Sequence, residues 1–271
     1  KELFHKRSKF IKEMRDYLDA HNFLEVETPV LEAIPGGAEA TPFITHHNTL
    51  DIDLFMRISL ELHLKRLTVG GFDKVYEIGR VFRNEGVSTQ HLQEFTEMEF
   101  YWAYADYHDL QEFVPEFYTT IIQKTFGTLK FEYQGQQIDF SLPWRRVDYV
   151  EAVKEKTGID LDAVKDVEAL KKEIKKKKID LEFEKHAGLG RVIDQLYKKV
   201  VRPQLIQPCL LVNHPLSVSP LAKKHRDNPN HVERMQVLFM GAEVGNGWSE
   251  LNDPIEQKKR FQEQVALREG G

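Results

Sequence analysis

The densest chemistry in the chain lies between positions 75 and 107, VYEIGRVFRNEGVSTQHLQEFTEMEFYWAYADY. There Arg80, Arg83, Glu85, His91, Glu94, Glu97 and Glu99 stand among aromatic and β-branched residues. Charges at that density in a strand-like pattern are costly to bury without partners, so they face either water or a polar ligand. Alternation along a strand puts Phe95, Glu97, Glu99 and Tyr101 on one face and Thr96, Met98, Phe100 and Trp102 on the other. The same alternation sets Arg83 and Glu85 on one side of the preceding strand's end, with Tyr76, Ile78 and Phe82 facing away. A solvated antiparallel face is the plainer account of the carboxylates. Against it, Phe95 and Tyr101 share that face, and rings, a guanidinium fork and carboxylates together suit a nucleotide plus a small cationic molecule.

The flanking elements follow from periodicity and breakers. Leu3, Phe4, Phe10, Ile11, Met14 and Leu18 recur at helical spacing, His21 and Asn22 stop the helix, and FLEVETPVL runs on as a strand with Pro29 near its end. IPGGAEATPF, 34 to 43, is a loop able to bring bare backbone close to a ligand. DIDLFMRIS reads as a strand and LELHLKRLTVGG as a helix stopped by Gly70 and Gly71. Strands are expected over 74 to 83 and 93 to 104, a helix over 107 to 125, and a hairpin in LKFEYQGQQIDF with Gly135 in its turn. A small helical insertion is expected over 145 to 200 within one domain spanning 1 to 271, followed by a strand QPCLLVNHP and a hairpin turning at Met240 and Gly241. Runs of antiparallel-type strands with helices at both ends and in a block argue for an α+β fold, an antiparallel β-sheet flanked by helices.

Composition narrows the classes. With 41% hydrophobic and 30% charged residues and a net charge of −5, the chain reads as an ordinary globular protein, and any nucleic-acid contact is expected to be local. There is no apolar run of about 18 residues, and the N-terminal stretch is amphipathic, so export and a membrane partner are not expected. The single cysteine, Cys209 in IQPCLLV, reads as a buried small hydrophobe in a reducing, cytoplasmic setting. KKEIKKKKID, 171 to 180, reads as a solvated helix face. His46 and His47 are adjacent and face opposite ways in a strand, which argues against a metal pair, and His214 and His225 are isolated. No G-x-G-x-x-G follows a strand and no G-x-x-x-x-G-K-[ST] is present.

FRNEG followed by HLQEFTEMEFYWAYADY resembles motif 2 of the class II aminoacyl-tRNA synthetases, and within them the lysyl-tRNA synthetase family. FLEVETPVL is similar to motif 1, and ISLELHLKRLTVGGFDKVYEIGRVFRNEG, EVGNGWSELNDP and RFQEQ extend the resemblance over nearly the whole chain. It implies the class II catalytic fold, lysine, ATP and tRNA(Lys) as substrates, Mg2+ as cofactor, and a homodimer formed through motif 1. Arg83 then resembles the arginine bridging the lysine carboxylate and the ATP α-phosphate, the catalytic group of a reaction without a protein nucleophile. Glu85 resembles an adenine contact, His91 a loop residue near the outer phosphates, and Phe95 the ring on which adenine stacks. Glu61 and the Gly37 carbonyl resemble the α-amine contacts, Glu99, Tyr101 and Glu250 the pocket for the ε-ammonium, and Asn246 a carboxylate contact. Glu243 and Gln236 take the positions of two magnesium ligands.

The chain departs from the family pattern in places. Leu60 replaces a proline before Glu61, and Leu92 and Gln93 stand where the family usually reads Asn-Pro. Gln236 replaces a glutamate, so one anionic metal ligand is exchanged for an amide, and Glu97 adds a carboxylate where an apolar residue is common. The chain ends at LREGG, with neither a glycine-rich motif 3 nor an anticodon-binding domain, so a C-terminally incomplete catalytic domain is the expectation. A lysyltransferase acting on elongation factor P and a non-catalytic lysine-binding module are the alternative readings. Lys223, Lys224 and Arg226, in a loop expected near the site, are candidates for phosphate or acceptor-end contacts.

Overall fold

The computed structural model describes residues 1–88, 91–183 and 187–269. The chain divides into two units, 1–104 and 105–271, each with its own sheets.

The first unit opens with α1 (Glu2–Ala20), which buries Tyr17 and Leu18, and β1 (Leu24–Glu25). There follow β2 (Leu31–Glu32), β3 (Ile44–His47), β4 (Ile52–Met56), α2 (Glu61–Val69), β5 (Lys74–Phe82) and β6 (Glu94–Trp102). The expected single strand in FLEVETPVL is split between two sheets, β1 pairing β5 and β2 pairing β4. The break is chemical: Pro29 has no N–H for a ladder, and Thr28 turns its N–H and hydroxyl to Glu77 Oε2, at 3.2 and 2.6 Å.

The paired strands β5 and β6 run antiparallel with Val75 opposite Tyr101, Glu77 opposite Glu99, Gly79 opposite Glu97 and Val81 opposite Phe95. Facing residues in such a ladder share a side, so the expected polar face is real and gains Glu77. Leu60 and Leu64 of the α2 segment pack against its ends, on Val75 and Val81, with Phe95 and Tyr101 partly buried in the same cluster. The centre of the face is left to charged groups.

The second unit contains α3 (Tyr107–Phe126), β7 (Lys130–Tyr133), β8 (Gln136–Asp139), β9 (Arg145–Asp148), α4 (Tyr149–Thr157), α5 (Val167–Lys176), α6 (Leu189–Val200), β10 (Cys209–Pro215), β11 (His231–Phe239), β12 (Ala242–Trp248) and α7 (Pro254–Glu269). Asp106 closes a capping box with Asp109 at the start of α3. Four strands form a sheet in the order β12-β11-β10-β9. The expected helical insertion differs at its start, because Arg145–Asp148 is a strand paired in parallel with β10. A parallel pair needs a crossover, and α4, α5 and α6 supply it. Their core is Tyr149, Val153, Leu170, Ile174, Val192, Leu196 and Tyr197. The lysine run lies on α5 as far as Lys176, where the helix ends, and α5 buries only Leu170 and Ile174. The fold is therefore α+β as read, with mixed sheets in place of a purely antiparallel one, since β1–β5 and β9–β10 are parallel.

Candidate active site

Arg83 follows β5 directly, and three contacts fix its guanidinium. Its Nε donates to the Ile58 carbonyl at 3.1 Å, its Nη2 lies 3.6 Å from Glu97 Oε1, and its Cζ stands 5.1 Å from the Phe95 ring centroid. A guanidinium over a ring beside a carboxylate is held by cation–π and Coulomb attraction together. Glu97 is only partly neutralised: burial pushes its carboxyl above the ordinary carboxylate range against the pull of Arg83 and Arg57. Its Oε2 is buried without a hydrogen-bond partner.

Two strand positions on, Glu99 accepts a hydrogen bond from the Tyr101 hydroxyl at 3.0 Å. Burial, with Glu97 adding like charge, pushes its carboxyl up to about 7. Glu61 is the first residue of α2, where the helix N-terminus favours an anion. The Ser59 hydroxyl accepts the Glu61 N–H at 3.0 Å and so ties down the start of the helix. Gly37 adopts φ +84°, and a Cβ there would come to 2.9 Å from Ser59 Oγ and 3.0 Å from Glu61 Cβ. The loop thus meets the helix start with bare backbone, which only glycine permits. Arg83, Phe95, Glu97, Glu99, Tyr101, Glu61 and Gly37 all belong to the first unit, and the charge of Glu61 at the helix start acts on both Glu97 and Glu99 of the strand face.

Glu85 and His91 lie between β5 and β6 and are exposed. Glu85 Oε1 accepts the Thr41 N–H at 3.3 Å, and the His91 ring Nδ1 meets the Ser88 hydroxyl at 2.8 Å. Sequence reasoning missed two supports. Lys65, four residues after Glu61, places its Nζ 2.7 Å from Glu61 Oε1; the i, i+4 spacing was the available signal. Arg57 and Glu77 form a buried ion pair at 2.7 Å, 3% and 5% exposed. Arg57 also donates to the Arg80 carbonyl at 2.8 Å and the Thr28 carbonyl at 3.1 Å. Gly79 makes room for it, since a Cβ there would stand 2.2 Å from Arg57 Nη2. Nothing in the local pattern pairs two charges from different strands.

In the second unit the hairpin turns at Met240 and Gly241, both at positive φ, as read from the sequence. Gln236 and Glu243 meet across it, the Gln236 Nε2 donating to Glu243 Oε2 at 2.8 Å. Gln236 Oε1 is taken by His214 Nε2 at 3.1 Å. Burial pushes His214 down to about 3, so the ring is neutral and its Nε2–H donates. As arranged, the amide presents a nitrogen to the carboxylate rather than a second oxygen to a cation. Turning it over would bring two oxygens together, which requires a cation or proton between them. Among the described residues no group of three His, Cys, Asp or Glu is placed to hold a metal ion. Asn246 accepts from Arg234 Nε at 2.9 Å, and Glu250 is half-buried in an isolated bridge with Ala222. In the preceding loop Arg226 binds Glu233 at 2.7 Å and Asp106 at 2.6 Å, and Lys224 binds Glu256 at 2.8 Å, so both cations hold carboxylates of their own unit. His46 approaches Asp53 at 3.0 Å, an ordinary strand pair, and Cys209 is buried with its thiol pushed up to about 11.

Residues 1–269 match the family described as tRNA synthetases class II (D, K and N). The chain is 51% identical over its whole length to a lysine–tRNA ligase of Thermoanaerobacter sp. (strain X514), covering 54% of that protein. It is 48% identical to the lysine–tRNA ligase of Bacillus subtilis (strain 168) and 47% identical to that of Thermotoga maritima, covering 54% and 53% of them. The chain thus spans about half the length of the curated relatives it matches.

Proposed function

The chain belongs to the class II tRNA synthetases of the D, K and N group, and from that premise we propose that it is a lysine-specific catalytic unit. It binds lysine and ATP, forms lysyl-adenylate with release of pyrophosphate, and passes the lysyl group to the terminal ribose of tRNA(Lys). The observation that carries the reading is the floor itself, where Arg83 over Phe95 adjoins a recessed pair of carboxylates, Glu97 and Glu99, and the Tyr101 hydroxyl.

On this reading Arg83 holds a lysine carboxylate oxygen against the α-phosphorus. The carboxylate forms the new P–O bond as the bond to pyrophosphate breaks, and the guanidinium neutralises charge as it builds. Phe95 offers its ring to adenine, with Glu85 and His91 further nucleotide contacts. Glu99 and Tyr101 receive the ε-ammonium, and Glu61 with the Gly37 carbonyl receives the α-amine. A neutral isostere of lysine would leave the carboxylates unpaired and is rejected for that reason. In the second unit, Asn246 and Glu250 are proposed amino-acid contacts and Glu243 a nucleotide-side one. Mg2+ arriving on the ATP phosphates would neutralise their charge, and Glu243, joined by Gln236 with its amide turned over, would be this chain's oxygens for it. A homodimer and a cytoplasmic setting belong to the same proposal.

Lysine-dependent exchange of pyrophosphate into ATP tests the reading, with Arg83→Ala as control. Exchange that needs lysine and falls by about a hundredfold or more in Arg83→Ala supports it. No exchange, with lysine still raising the melting temperature, reduces it to a lysine-binding unit.

A further inference from the structure

The first unit carries a cation of its own at the position proposed for the substrate α-amine. Lys65 lies one turn along α2 from Glu61, with its Nζ 2.7 Å from Glu61 Oε1 and 6.0 Å from the centroid of the Tyr101 ring. Glutamate four residues before lysine is the favoured order on a helix. The pair is recessed, Glu61 being 17% and Lys65 33% exposed, so water screens it less than a surface pair. Around it stand Glu97 and Glu99, whose charged forms burial and the nearby Glu61 both disfavour. The floor therefore holds three carboxylates, with Arg83 beside Glu97 and Lys65 on Glu61.

We propose that Lys65 is an internal competitor of the substrate amine: its ammonium occupies the amine position at Glu61 until a ligand bringing an amine to that position displaces it. The inference rests on the reading of Glu61 as the α-amine contact. The exchange trades one ammonium for another, so part of what the ligand amine gains at Glu61 goes to displacing Lys65. A ligand without an amine there has nothing to offer Glu61 in return, and Lys65 stays in place. The recessed acidic site is thereby kept near neutral while empty, which lowers its attraction for unrelated cations.

Calorimetric titration of the chain with L-lysine and with 6-aminohexanoate separates the two cases, because the second ligand keeps the carboxylate and terminal ammonium but lacks the α-amine. Lys65→Met keeps helix propensity and stem length while removing the charge, and Lys65→Gln serves as a second neutral variant. Both neutral variants should bind lysine about three- to tenfold more tightly than the parent. Their affinity for 6-aminohexanoate should stay within about twofold, and Lys65→Arg should bind lysine no more tightly than the parent. Equal gains for both ligands, or no gain for lysine, overturn the proposal while leaving the lysine reading intact. Failure of the unaltered chain and every variant to bind lysine overturns that reading, and the role of Lys65 with it.

Discussion

At the scale of single residues, the carboxylates of the floor are the most informative groups because they are anions held where anions are disfavoured. The Glu99 carboxyl titrates near 7 when folded, above the ordinary value of 4.5. Between those two values the folded chain keeps a proton that the unfolded chain has released, so stability falls as pH rises through about 7. Urea unfolding at pH 5 and pH 8 should show this loss, and Glu99→Gln should reduce it and be the more stable chain at pH 8 by about 1–3 kcal/mol. Glu97 shifts in the same direction for the same cause and leaves a residual slope in that variant. These carboxylates thus weaken the fold near neutral pH, a cost that the ammonium of the proposed lysine ligand would offset.

At the scale of elements, the site depends on two approaches that side chains elsewhere make possible. The first is the loop at Gly37 against the start of α2. Gly37→Ala must carry a Cβ at φ +84° and 3.0 Å from Glu61 Cβ, so it should lower stability by about 1–2 kcal/mol and weaken lysine binding in the same titration. The second is Arg57 reaching β5 from the end of β4. Arg57→Met leaves Glu77 as a buried, unpaired anion and should cost about 3–5 kcal/mol in denaturant unfolding. Adding Glu77→Met should recover most of it, because the double variant removes the stranded charge.

At the scale of the whole molecule, each unit keeps its own sheets, and the boundary falls at Tyr104. Tyr104 is fully exposed and takes a left-handed backbone conformation at φ 65°. Brief chymotrypsin digestion should cut after it, giving fragments of 1–104 and 105–271 resolved by mass spectrometry. The net charge of −5, with Lys224 and Arg226 already holding carboxylates, leaves little general attraction for nucleic acid. RNA contact is accordingly a matter of local geometry rather than overall field.

Local rules reach as far as one strand face, one helix or one tight turn. Period-two alternation placed Phe95, Glu97, Glu99 and Tyr101 on one face, helical spacing marked α1, α2 and α3, and Met240 with Gly241 marked the hairpin turn. The quoted motifs were enough to point to the family. Folding in three dimensions settled the pairings between distant positions: Arg57 with Glu77, Gln236 with His214, and β9 alongside β10 across three helices. The splitting of FLEVETPVL between two sheets belongs with these, because Thr28 turns toward a carboxylate 49 residues away. Such partners leave no trace in local periodicity. They are chosen because a buried charge or polar group must find a partner somewhere in the folded chain, and where that partner lies is set by topology.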